Sequence, residues 1–202
     1  MKPVKEEVKN RPFKPYYLFN RKMLALFPLI FGANFLQAQV FTAMNIIIVS
    51  LFGMGLVAFF VFLIKISNII GSFSSGTLAG WFSKMVLLVI LIFMSLGGIF
   101  LLVGTHTRVW VLLGVILSGF AMAAIYPVCL VWLKEKFPAE EYLYALGIFH
   151  VYNNLGVLGA ILSNLKMSAE FSFVPGIAAF FLALPGIALF NKLSKNNIIA
   201  NK

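Results

Sequence analysis

Three sets of polar side chains in this sequence sit inside runs that are otherwise apolar. Asn34, Gln37 and Asn45, with Phe41 between them, fall at offsets 0, 3, 7 and 11. That spacing keeps them on one face of a helix. Lys65, Asn68, Ser72 and Ser75 fall at offsets 0, 3, 7 and 10, and His150, Asn153 and Asn154 at 0, 3 and 4. Amides and hydroxyls can hold a polar solute by donating and accepting hydrogen bonds. They can also tie helix to helix with no ligand between them. Three stripes together weigh toward a shared wet interior, because a face this polar should meet protein or water rather than lipid.

Lys65 is the sharpest of these groups. Aspartate is absent, and the six glutamates (Glu6, Glu7, Glu135, Glu140, Glu141 and Glu170) lie outside the apolar runs. An ammonium at that depth has three ways out. It is neutral through a lowered pKa, it pairs with another chain, or it meets an anionic solute in a wet cavity. His150 is the only histidine inside an apolar run; it is either a packed, hydrogen-bonded ring or a proton relay. A fourth run contributes Ser118, Tyr126 and Pro127. The candidate solute contacts are therefore Asn34, Gln37, Lys65, Asn68, Tyr126, His150, Asn153 and Asn154.

These residues must be positioned by elements that tolerate lipid. The chain has 202 residues, of which 61% are hydrophobic and 11% charged, with a mean hydropathy of +0.99. A soluble domain carries about a quarter charged residues, so the composition is that of an integral membrane protein. A spanning helix needs roughly 20 mostly apolar residues. Six spans are predicted, at 24–49, 56–80, 85–103, 109–133, 142–165 and 171–190, joined by connectors too short for a soluble domain. The expected fold is an all-α bundle of six transmembrane helices over 24–190, with a basic tail at 1–23 and a second tail at 191–202. Spans 3 and 6 are bland and read as outer helices; spans 1, 2 and 5 face an interior.

Lysines and arginines orient the bundle. With the N-terminus cytoplasmic, that side collects Lys2, Lys5, Lys9, Arg11, Lys14, Arg21, Lys22, Lys84, Lys134, Lys136, Lys192, Lys195 and Lys202, and the other side holds only Arg108 and Lys166. Both termini are then cytoplasmic. The net charge of +10 flanks apolar spans instead of interleaving with base-stacking aromatics, which argues for anionic lipid headgroups and against nucleic acid. His106, in the outer loop, reads as solvated. No cleavable signal peptide is apparent, because the basic start is too long. The single Cys129 allows no internal disulfide, zinc cluster or redox pair; it reads as a small apolar residue in a helix, and no metal or cofactor is expected.

Rival chemistries lack their residues. A rhomboid-like protease needs G-x-S-G, and "SFSSG" lacks the first glycine. Lipid-headgroup transferases lean on aspartates, and an aquaporin-like channel needs paired N-P-A turns; neither occurs here. The chain is not read as an enzyme.

The stretch "GTLAGWFSKM" (76–85), between spans 2 and 3, resembles the signature loop of the major facilitator superfamily. Gly76, Leu78, Ala79, Phe82 and Lys84 carry the likeness, while Gly80 stands in place of the acid, Trp81 of the first base and Ser83 of the glycine. In this reading small residues let span 2 pack closely on its neighbours, and Gly76, Leu78, Gly80 and Lys84 form a gating loop. The segment "GFAMAAIYPVCLVWLKEKFPAEEYLYALGIFHVYNNLGVLGAILSNL" (119–165) resembles the family's span 4, inner loop and span 5. Gly156 and Gly159 fall at its helix-packing motif, and Val115 occupies the place of a basic residue usual in span 4. The resemblance covers about 24–190 and implies one six-span half of a twelve-span carrier. It further implies two inverted three-helix repeats, alternating access to a small solute, and a pathway lined by spans 1, 2, 4 and 5. The expected setting is a bacterial-type inner membrane, with a second six-span half as partner, either a copy of this chain or a separate one. The solute is expected to be anionic on the strength of Lys65; a truncated, transport-inactive half is the alternative.

Overall fold

The computed structural model describes residues 20–105, 107–166 and 173–200; within these, the side chains of 43–45, 140, 166 and 195–200 are not described. The basic tail up to residue 19, His106 and the side chains of Asn45 and Lys166 therefore lie outside the described residues. The rest is helical. α1 spans Arg21–Phe52, α2 Val57–Trp81, α3 Lys84–Gly104, α4 Arg108–Lys136, α5 Ala139–Lys166 and α6 Val174–Ala200. All six are long and apolar enough to cross a membrane.

Local chemistry sets their ends. The Asn20 side chain accepts a hydrogen bond from the Lys22 backbone N–H at 2.9 Å, capping α1. Gly53 stops the same helix at φ 82°, a left-handed value suited to glycine, and a single turn over Met54–Leu56 leads into α2. Between α2 and α3 only Phe82 and Ser83 leave the helical path, and the Ser83 hydroxyl caps α3 by accepting from the Val86 N–H. All of "GTLAGW" is thus the end of α2 rather than a loop. α1 starts earlier than expected because Lys22 is packed, with its ammonium 5.1 Å from the centre of the Phe137 ring. α6 continues to Ala200, into the stretch read as a tail.

α4 and α1 are the two central helices. α2 and α3 pack on α4, while α5 and α6 pack on α1. Backbone meets backbone at all four of these contacts, Gly186 of α6 doing so against the Ala25 carbonyl of α1. A Cβ on Gly71 of α2 would collide with the Phe120 carbonyl of α4, and a Cβ on Gly156 of α5 would lie 2.5 Å from the Phe31 carbonyl of α1. Gly98 and Gly114 do the same between α3 and α4. Gly76 and Gly80 do not: a Cβ at either meets nothing within 4 Å. Of the small residues in "GTLAG", Ala79 is buried, while 76 and 80 lie on a face that no helix of this chain covers; the closest approach of α2 is made at Gly71.

One end of the bundle gathers Lys22, Lys84, Lys134 and Lys136, and there Lys84 Nζ stands 2.9 Å from Glu135 Oε1. At the other end Arg108 donates to the Leu51 carbonyl at 3.4 Å and covers the Phe52 ring. The Lys84–Glu135 pair is partly exposed, so Lys84→Ala is expected to lower stability by less than about 1 kcal/mol. Thermal unfolding of the purified variant checks this.

Candidate functional site

Where α1, α2, α4 and α5 converge they leave a cavity of about 310 Å³. α1 supplies Asn34 and Gln37, α2 supplies Asn68 and Ser72, α4 supplies Tyr126, and α5 supplies Asn153; Met122, Cys129 and Phe149 are among its apolar walls. Neither a carboxylate nor a cationic side chain lines it. α3 and α6 contribute nothing to the lining, since they pack on the outer sides of α4 and α1.

The polar groups are held in definite ways. Asn34 donates from Nδ2 to the Ile30 carbonyl at 2.9 Å. The Asn68 amide is satisfied when its nitrogen donates to the Gly119 carbonyl of α4 at 2.8 Å and to the Ile64 carbonyl at 3.2 Å. The Ser72 hydroxyl donates to the Ala123 carbonyl at 3.4 Å. That carbonyl is available because Pro127, four residues on, has no N–H to offer it. Asn153 Oδ1 is buried without a hydrogen-bond partner among the described residues. Tyr126 stacks edge-on against Phe149, ring centres 5.0 Å apart.

Five of the sequence candidates (Asn34, Gln37, Asn68, Tyr126 and Asn153) thus share one cavity. Lys65, His150 and Asn154 are exposed and do not line it. Lys65 lies one turn from Asn68, and its ammonium sits 5.2 Å from the centre of the Phe41 ring, itself one turn from Gln37. His150 lies one turn from Asn153, its ring 6.2 Å from that of Tyr126. Lys65 therefore flanks the cavity toward the Arg108 end, and His150 toward the lysine-rich end. None of Gly76, Leu78, Gly80 and Lys84 lines the cavity: Gly76 lies one turn beyond Ser72 in α2, Leu78 and Gly80 follow in its last turn, and Lys84 opens α3.

Sequence reasoning passed over Gln39. It is fully buried, its Nε2 donates to the Ala160 carbonyl of α5 at 3.1 Å, and its Oε1 is unpartnered among the described residues. Two residues from Gln37 is about 200° around a helix, so Gln39 had to face away from the stripe; that was the available signal. Cys129 and Phe149 gave no signal, because an apolar wall residue looks like any other apolar residue. Among the described residues no cluster of His, Cys, Asp and Glu could hold a metal ion.

A family model described as Major Facilitator Superfamily matches residues 1–161. The chain belongs to the major facilitator superfamily. The match takes in α1 through most of α5, including every helix that lines the cavity. As a major facilitator protein the chain is a multi-pass membrane protein of the transporter kind, and six apolar helices suit that setting. No curated protein and no solved structure gives a significant match.

Proposed function

We propose that this chain is one half of an alternating-access carrier for a small, anionic solute, with both termini cytoplasmic in a bacterial-type inner membrane. One observation carries the reading: four helices bring their scarce polar side chains to a single cavity, and the two blandest helices stay out of it. Polar groups in hydrocarbon are costly, and gathering them around a space gives them a use. Anionic selectivity has Lys65 behind it, at the cavity's edge rather than in its wall.

The inverted repeat is supported by the packing. Exchanging α1 with α4, α2 with α5 and α3 with α6 maps the main helix contacts onto one another. Gly71 against Phe120 then corresponds to Gly156 against Phe31. Asn68 and Asn153 each precede their glycine by three residues, and Lys65 and His150 each precede their asparagine by three. The exposed face around Lys65, Ser72, His150 and Asn154 is where the second half would close the pathway.

Cross-linking in membranes followed by uptake into liposomes tests the proposal. A cross-linked pair of halves with solute uptake supports it. A strictly monomeric chain with no uptake favours the transport-inactive half, a reading that Gly80 and Trp81 recommend because they remove two charges of the signature loop.

A further inference from the structure

We infer that the solute is a small polyhydroxylated monocarboxylate, its hydroxyls read by the neutral polar groups of the cavity and its carboxylate by Lys65. This rests on the carrier reading of the cavity, and deepens it by naming the substrate class.

A carboxamide has two N–H donors and one oxygen acceptor. Asn34 uses its nitrogen on the Ile30 carbonyl, and Asn68 uses its nitrogen on the Gly119 and Ile64 carbonyls. Asn68 is left with its oxygen alone, whereas Asn34 keeps its oxygen and its second N–H. Ser72 sends its proton to the Ala123 carbonyl, leaving its lone pairs. Asn153 lines the cavity as a residue, with its Oδ1, unpartnered among the described residues, buried behind the wall. Gln37 and Tyr126 can act either way, so the wall accepts at Asn68 and Ser72 and can both donate and accept elsewhere. A neutral wall of this kind suits hydroxyls, which both donate and accept. It repels a carboxylate placed among the amide oxygens. It also lacks the counter-charge that an ammonium would need at this depth.

The anionic group has its place one turn away. The Lys65 ammonium is turned toward the Phe41 ring, between α1 and α2, at the Arg108 end of the cavity. A ring face attracts a cation without neutralising it, and no Asp or Glu occurs within the apolar spans. One fixed cation beside a neutral, oxygen-rich pocket matches one carboxylate on a hydroxylated chain. The cavity of about 310 Å³ lies at the small end of ligand pockets, roughly 300–1,000 Å³, which suits a sugar-sized acid.

Equilibrium binding to the purified full chain in lipid nanodiscs tests this with four labelled six-carbon probes: gluconate, glucose, glucosamine and hexanoate. Gluconate is expected to bind about tenfold or more tighter than each of the others. Lys65→Ala should reduce gluconate to the level of glucose and leave glucose unchanged. Asn153→Leu should weaken gluconate and glucose alike and leave hexanoate unchanged, with size-exclusion profiles establishing that both variants fold. The inference is overturned if glucose equals gluconate, if hexanoate equals gluconate, if Lys65→Ala has no effect, or if no probe binds. The carrier reading fails separately. Gluconate bound but never taken up by liposomes sinks that reading and keeps the substrate class; uptake of a different solute without gluconate binding does the reverse.

Discussion

Leucine in place of Gly156 is expected to force α5 away from α1 and to destabilise the chain by about 3 kcal/mol, roughly 6–12 °C in thermal midpoint for a protein of this size. A Cβ at that position would lie 2.5 Å from the Phe31 carbonyl oxygen and 3.1 Å from both the Asn34 Cβ and the Phe35 nitrogen. The obstacles are mostly backbone, so no rotamer change relieves the overlap. The helices must separate, and Gly159, where an added Cβ would lie 3.0 Å from the Phe31 ring, loses its close approach as well. Gly71→Leu should act the same way on α2 and α4, where the Phe120 carbonyl is the obstacle. Gly76→Leu is the internal control: with nothing within 4 Å, it should change the isolated chain by less than about 0.5 kcal/mol. Thermal unfolding of the three purified variants decides the matter, and equal midpoints for Gly156→Leu and Gly76→Leu would refute the packing argument.

Asn153→Asp is expected to suppress binding of an anionic solute at neutral pH and to give it back in acid. Asn153 is one of the residues lining the cavity, and aspartate has nearly the shape of asparagine, so the substitution changes charge at nearly constant shape. Two like charges about 8 Å apart at an effective dielectric of ~20 repel by about 2 kcal/mol, roughly thirtyfold in affinity. The sign follows from protonation. Above the pKa of the new carboxyl the site is negative and binding is weak; as pH falls through that pKa the charge disappears and binding returns. Asn153→Leu lacks the titrating group, so its loss of affinity should be flat with pH. A binding series across pH with both variants separates electrostatic repulsion from a lost hydrogen bond.

The six helices were legible because hydrocarbon imposes one simple demand, a long apolar run, and α3 at Lys84–Gly104 follows its predicted span of 85–103 closely. The ends were less legible. Arg21 and Lys22 read as tail because they are charged, yet Lys22 covers an aromatic ring and belongs to α1. Helical spacing grouped Asn34 with Gln37 correctly, since periodicity alone fixes which residues share a face. It could not say how far along the face the cavity reaches, and so Lys65 was grouped with Asn68 although it stands a turn beyond the lining. Nor could it say which glycines touch a neighbour. Gly71 and Gly76 look alike in the sequence, and only the helix crossing tells them apart.

The paired contacts of Gly71 with Phe120 and of Gly156 with Phe31 bear on how such a chain moves. Where main chain rests on main chain there is no layer of side chains to re-pack, and so no second arrangement of nearly equal energy to slip into. Each pair of helices is thereby riveted rather than hinged. Any rocking motion then has to be accommodated along the uncovered face beside Lys65 and His150, where the contacts are still to be made by whatever lies opposite.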